Sequence, residues 1–207
     1  MFHIILSSFI LSIIHATIPS HWLPIVAIGK AERWNQRTTL LATAISGFAH
    51  VASTILIGIL VGWAGYRLSS AYQWISSFAA PAVLVLFGMV YIIRNFFSHQ
   101  HRHHFDEHPP KDASFGKVIL SLSVGMFFSP CIELESYYFT AGTFGWMGII
   151  AVSIVYLIVT VGTMVILVDL AIKGISKFKF TFLEKNEKAI IGVVLVVVGI
   201  ATYFISI

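Results

Sequence analysis

Residues 136–168 read SYYFTAGTFGWMGIIAVSIVYLIVTVGTMVILV, a stretch without a single Asp, Glu, Lys or Arg. Similar charge-free stretches occupy residues 1–29, 38–66, 68–93 and 189–207. A helix needs about 20 apolar residues to cross the roughly 30 Å of hydrocarbon in a bilayer. Residues 118–132 reach this length only if Glu133 and Glu135 also lie in the membrane. The sequence therefore predicts an all-α integral membrane protein with six transmembrane helices.

The composition leads to the same fold class. The chain of 207 residues is 57% hydrophobic and 11% charged, and its mean hydropathy is +0.89. Soluble domains carry about 25% charged residues, so this composition excludes an ordinary soluble domain. The predicted transmembrane helices cover residues 2–28, 38–64, 74–93, 118–141, 146–172 and 189–206.

Basic residues are concentrated in three of the five predicted loops. Of the 13 Lys and Arg, all except Arg67 fall in or beside the first, third and fifth loops. The positive-inside rule places these loops in the cytoplasm. It therefore predicts a multi-pass protein of the cytoplasmic (inner) membrane with both termini on the outer side. This charge distribution orients a protein in a lipid bilayer and does not indicate nucleic-acid binding. The sequence leaves open whether the protein forms a homo-oligomer.

Residues 98–116, SHQHRHHFDEHPPKDASFG, are the one long polar stretch and separate residues 1–97 from residues 117–207. Each part contains three predicted helices, so a duplicated three-helix unit would insert in opposite orientations in the two halves. The first helix of each half contains an interruption, with Pro19 in one and Pro130 in the other. Interrupted helices at corresponding positions are typical of transporter repeats around a midplane site. We therefore predict two inverted three-helix repeats with broken first helices, joined by a cytoplasmic His-rich linker.

Ionisable side chains inside a membrane cost several kcal/mol and are therefore candidates for function. The predicted spans contain His15, His21, His50, Cys131, Glu133, Glu135 and Asp169. Pro19 cannot donate to the carbonyl of His15, so we expect the helix to kink there and leave this oxygen free. Both His15 and His21 could then face one cavity. Asp169 precedes Lys173 by four residues, and we interpret it as a structural partner.

The other candidate ligands lie in the second and fourth predicted helices. Cys131 and Glu135 are four residues apart on one helical face, whereas Glu133 points almost the opposite way. His50 shares a face with three hydroxyl residues, Ser46, Ser53 and Thr54. Imidazole, thiolate and carboxylate suit zinc, nickel, cobalt or iron better than magnesium or calcium. The predicted metal ligands are His15, His21, His50, Cys131 and Glu135, with Glu133 as a further candidate.

Each of these residues also has a structural interpretation. A membrane histidine can hydrogen-bond a neighbouring helix, and a cysteine after a proline can be a small packing residue.

A second candidate metal site lies in the predicted cytoplasmic linker. Its histidines are His99, His101, His103, His104 and His108. Histidine-rich tracts are typical of metal binding, although polar tracts are also often flexible linkers. A cytoplasmic tract of this kind fits the sensing or delivery of metal, which favours export over import.

The segment HATIPSH, from His15 to His21, resembles the first signature of the NicO-type nickel/cobalt transporter families: a histidine, four residues and then Asp-His. Ser20 stands at the aspartate position. The segment SGFAHVAST around His50 is similar to a second feature of these families. Cys131 and Glu135 have the spacing of a third feature, an acidic pair. The resemblance implies a six-helix transporter whose substrate is the metal ion and which carries no prosthetic group.

Residues and resemblance together predict a transporter of divalent transition-metal ions: nickel or cobalt, or zinc, iron or manganese. The main alternative is a membrane-embedded zinc-dependent hydrolase, in which three histidines hold zinc and Glu135 or Glu133 is the general base. The chain has no HExxH spacing, so we predict that it is not an enzyme. A third hypothesis is a non-transporting accessory protein that docks a partner through the His-rich linker.

Overall fold

The protein is described here by a computed structural model that covers residues 2–71, 78–97, 114–129, 131–174 and 181–206. Within these ranges the chain is helical apart from short turns. The helices are α1 (Phe2–Ala16), α2 (Pro19–Ala31), α3 (Gln36–Ala71), α4 (Ala80–Phe97), α5 (Phe115–Phe127), α6 (Ile132–Gly142), α7 (Gly145–Ile172) and α8 (Thr181–Ser206). The predicted all-α fold class is confirmed.

Two of the predicted helices are each divided into a pair. The first becomes α1 and α2, which meet at an angle of 43°. The break falls at Thr17 and Ile18, directly before Pro19, whose ring nitrogen has no hydrogen to continue the helical ladder. The fourth becomes α5 and α6, separated by the residues after Phe127. Pro130 itself lies outside the described residues.

Long apolar helices make the fold compatible with a membrane protein. Gln36–Ser70 and Gly145–Ile172 are each long and apolar enough to cross a bilayer, and α1 with α2 would be a third span if the bent pair crosses as one. The described parts of the other helices are shorter. Large apolar side chains such as Leu60 and Ile158 are about two-thirds exposed on the outer surfaces of these helices. The predicted six spans, the division into halves and the inverted repeat stay predictions.

Helix α3 packs against α5, α6 and α7. Gly58 and Gly62 of this helix lie against α6. The ring of Tyr138 occupies the space that a side chain at position 58 would need. Gly142 of α6 faces the backbone of Gly62, so the two helices approach more closely than larger residues allow. This packing brings the beginning of α6 beside the middle of α3.

The start of α3 and the end of α7 lie at the same end of the molecule. Gln36 Nε2 donates to Asp169 Oδ1 over 2.5 Å, and Lys173 Nζ donates to Asp169 Oδ2 over 2.6 Å. The end of α2, with Lys30, belongs to the same region, because Gly29 packs against Thr39. We refer to this region, where α2 ends, α3 begins and α7 ends, as the Lys30 end.

Candidate metal centre

Four potential metal ligands meet inside the helical bundle. They are His15 at the end of α1, His21 in the first turn of α2, His50 in the middle of α3, and Cys131 directly before α6. One ligand atom from each lies within 4.8 Å of the corresponding atoms of all the others. The side chains of His15, His50 and Cys131 are at most 5% exposed, while His21 is half-buried. Residues far apart in the sequence thus form one compact group.

The break between α1 and α2 brings the first two histidines together. On a continuous helix, residues six apart point about 120° away from each other, because each residue turns the helix by about 100°. In the structure the ring centroids of His15 and His21 are 4.4 Å apart. The backbone turns tightly at this point, and Ile18 N–H donates to the carbonyl of His15 over 3.2 Å. The expectation of a free carbonyl at His15 is therefore wrong: a four-residue turn of 3₁₀ type takes the place of the lost helical bond.

His50 is held in the orientation that a metal ligand needs. Its Nδ1 lies 3.2 Å from the carbonyl oxygen of Met126 in α5. A carbonyl can only accept, so Nδ1 carries the hydrogen and Nε2 keeps its lone pair. That Nε2 faces the sulfur of Cys131 at 3.1 Å. Metal-binding histidines commonly donate their second ring nitrogen to a carbonyl in this way, which fixes both tautomer and ring direction.

Cys131 lies at the centre of the group. Its Sγ is 2.9 Å from His15 Nε2 and 3.1 Å from His50 Nε2. The backbone at Cys131 is extended, and its N–H donates to the hydroxyl of Thr54, one turn beyond His50 on α3. The start of α6 is thereby tied to the helix that carries His50, and the thiol is directed between the imidazoles.

The distances fit a four-coordinate transition-metal ion. Bonds of about 2.0 Å to nitrogen and 2.3 Å to sulfur in a tetrahedral zinc site imply sulfur–nitrogen separations of about 3.5 Å. The two separations seen here, 2.9 and 3.1 Å, are within about half an ångström of that value. Small side-chain rotations would suffice to admit an ion. Three imidazoles and a thiol suit a borderline divalent ion such as zinc or cobalt.

The structure does not bring every predicted ligand into this group. Glu135 is half-buried in α6 and is not among the four. Its predicted pairing with Cys131 assumed a continuous helix, but Cys131 precedes the first turn of α6. The side chain of Glu133 and the linker histidines His99, His101, His103, His104 and His108 lie outside the described part of the chain. Asp169 binds Gln36 and Lys173 at the Lys30 end.

Two residues beside the site have no signal in the sequence. Met126 contributes only its backbone carbonyl, which any residue type could supply. The ring centroid of Tyr156 in α7 is 6.1 Å from that of His15. Both contacts depend on long-range helix packing. By contrast, the hydroxyls of Ser53 and Thr54, which donate to the carbonyl of His50, belong to the polar face recognised in the sequence.

Comparison of the chain with protein-family models, with curated proteins and with solved structures finds no match.

Proposed function

We propose that this protein binds one divalent transition-metal ion through His15, His21, His50 and Cys131 and transports it across a membrane. The observation that carries the proposal is the convergence of these four ligands among long apolar helices. Isolated polar groups at such a place cost several kcal/mol. Metal coordination offsets that cost, because it satisfies three imidazoles and a thiolate together.

The number of protein ligands favours binding and transport over hydrolysis. A catalytic zinc site keeps three protein ligands and leaves its fourth position to water. Here the fourth position is taken by the thiol of Cys131, which lies between two imidazoles. A fully coordinated ion has no vacant position on which to activate water.

Transport also requires that the ion be released, and the break between α1 and α2 supports such a step. His15 ends one helix and His21 begins the next, so a change in the 43° angle between them would move one imidazole away from the other. His21 is the least buried of the four ligands. A site that loses one or two ligands by hinge motion binds its ion less tightly, which is what alternating access demands.

The test has two stages, binding and then flux. Purified protein is titrated with Zn²⁺, Co²⁺, Ni²⁺, Mn²⁺ and Fe²⁺, and the metal that binds with one-to-one stoichiometry is then followed into proteoliposomes. We expect saturable uptake that is lost in His15→Ala and His50→Ala. The matched control is His3→Ala, because His3 is exposed at the start of α1.

The outcomes separate the hypotheses. Flux that is indifferent to His15→Ala and His50→Ala contradicts the proposal as a whole. Stoichiometric zinc that survives chelator, in a protein that moves no ion, refutes transport and favours the membrane metalloenzyme.

A further inference from the structure

A row of buried hydroxyl groups leads along α3 from the metal centre to the Lys30 end. Thr39, Thr43 and Ser46 precede His50 at spacings of four, three and four residues, so they share its helical face. All are at most 3% exposed. From Thr39 to His50 the helix rises about 16 Å, roughly half the thickness of a bilayer core.

Near the metal centre, two hydroxyls have no hydrogen-bond partner among the residues that the structure describes. They belong to Ser46 on α3 and Thr160 on α7, and both residues are completely buried. Leaving a buried hydroxyl unpaired is costly, because the group loses its hydrogen bonds to water and gains none in return. Such groups in native structures are therefore usually explained by water, an ion or a ligand that occupies the site in the working protein.

These two hydroxyls lie on helices that pack against each other. Gly47, next to Ser46, faces Val161 and Met164 of α7, which flank the turn that follows Thr160. Tyr156, one turn before Thr160, is the α7 residue beside His15. Ser46 likewise lies one turn from His50. Ser46 is thus displaced from His50 by about 6 Å along α3, and Thr160 from Tyr156 by about 6 Å along α7, in each case towards the Lys30 end.

The row ends at an open cavity. Thr39 lines a cavity of about 330 Å³ at the Lys30 end, together with Gly29, Trp34 and Ile172 and the basic residues Lys30 and Arg33. Hydroxyl groups therefore continue from the metal centre to a space that opens at the surface. The apolar side chain of Met164 on α7 packs beside this row, against Gly47 of α3, and closes the space between the two helices in this arrangement.

We propose that the seam between α3 and α7, with the hydroxyls of Ser46 and Thr160 at its inner end, is the path by which the metal ion passes between the His/Cys site and the Lys30 end. The inference rests on the proposed function and adds the route to it.

The chemistry of a dehydrating cation supports this assignment. An ion that leaves three imidazoles and a thiolate needs replacement ligands before it regains its full water shell, and hydroxyl oxygens can provide them. The Thr43 hydroxyl donates its hydrogen to the carbonyl of Thr39 over 2.8 Å, so its oxygen lone pairs remain available to a cation or to water.

The first test compares binding with flux for Zn²⁺ in proteoliposomes. Ser46→Ala and Thr160→Val should each slow flux by about tenfold to a hundredfold, since each removes a hydroxyl oxygen that would interact with the charged ion. Binding at the metal centre should stay within about twofold of the parent in both variants, because neither side chain is among the four ligands. Thr160→Ser keeps the hydroxyl that Thr160→Val removes, so its flux should equal that of the parent. Ser69→Ala is the control, because that hydroxyl donates to the Tyr66 carbonyl at the far end of α3.

The second test does not depend on transport. In a Cys131→Ser background, which removes the native thiol, Ser46→Cys and Thr160→Cys should react with a membrane-impermeant maleimide when the seam opens, whereas Ile57→Cys, on the outer face of α3, should not. Unchanged flux in the Ser46→Ala/Thr160→Val double variant, together with unreactive cysteines at both positions, would overturn the path. Reactive cysteines in a protein that moves no metal would support the path as an access route and refute transport instead.

Discussion

Replacement of Cys131 by serine tests the metal centre most directly. The substitution keeps a side chain of nearly the same size and exchanges a soft thiolate for a weakly coordinating hydroxyl. Sγ lies at the centre of the group, 2.9 Å from one imidazole nitrogen and 3.1 Å from another. The variant therefore removes one ligand of four and leaves the packing intact.

The size of the effect follows from the number of ligands. Four-ligand zinc sites in small proteins bind with about 10–16 kcal/mol, or about 3 kcal/mol for each ligand. Loss of one ligand should therefore weaken binding about a hundredfold. Folding stability in the absence of metal should change little, because a hydroxyl can hydrogen-bond the same imidazoles of His15 and His50.

The assay is titration of the purified protein with Co²⁺, followed by competition with Zn²⁺. The parent protein should show the intense thiolate-to-cobalt charge-transfer absorption and ligand-field bands of a four-coordinate ion; Cys131→Ser should lose the charge-transfer absorption and bind weakly. Glu135→Gln is the control, since Glu135 lies outside the ligand group, and it should bind within a few-fold of the parent. Full affinity and unchanged absorption in Cys131→Ser would refute sulfur ligation; weak binding in Glu135→Gln alone would move the site to the carboxylate.

Three further outcomes are expected. Gly142→Ala should lower the free energy of unfolding of the detergent-solubilised protein by about 1–3 kcal/mol, because its Cβ would overlap the backbone of Gly62. The control is Gly162→Ala, which has open space around it and should not be destabilising. Equal melting temperatures for the two variants would contradict the packing. Metal affinity should fall as the pH is lowered from about 8 to about 5, because protons compete for the imidazoles and the thiolate; pH-independent binding, followed by isothermal titration, would exclude this ligand set. The double variant Lys30→Gln/Arg33→Gln should capture cations from the Lys30 end faster than the parent at low ionic strength, because both positive charges line the cavity there and repel cations. Salt screens these charges, so the difference in rate should disappear at high salt concentration. Rates equal to the parent at every salt concentration would show that the cavity is not on the path.

The fold class could be predicted because it depends on composition. Long charge-free stretches predict long apolar helices, and the structure contains them in α3 and α7. Prolines predicted the break between α1 and α2, since a missing backbone N–H is a local property. The exact form of that break could not be predicted: the bond from Ile18 to the carbonyl of His15 depends on how the chain turns there.

The candidate ligands were recognisable as residue types, but their grouping was not. Histidine and cysteine in an apolar span are conspicuous because they are costly there, and so each could be named from the sequence alone. Which of them meet depends on helix packing. Cys131 and Glu135 appeared as a pair on an assumed helix, whereas the chain is extended at Cys131 and places its thiol between His15 and His50.

The sequence by itself determined an all-helical chain with membrane-length apolar segments, a break before Pro19 and a short list of chemically unusual residues. These properties are local, because solvent preference, helix propensity and the missing proline hydrogen act within a few residues. Only the tertiary structure decided that four side chains from α1, α2, α3 and the start of α6 share one site, and that unpaired hydroxyls on α3 and α7 lie beside it. Those relations depend on the close approach of helices across glycine faces and on hydrogen bonds between residues as many as 116 positions apart, as between His15 and Cys131.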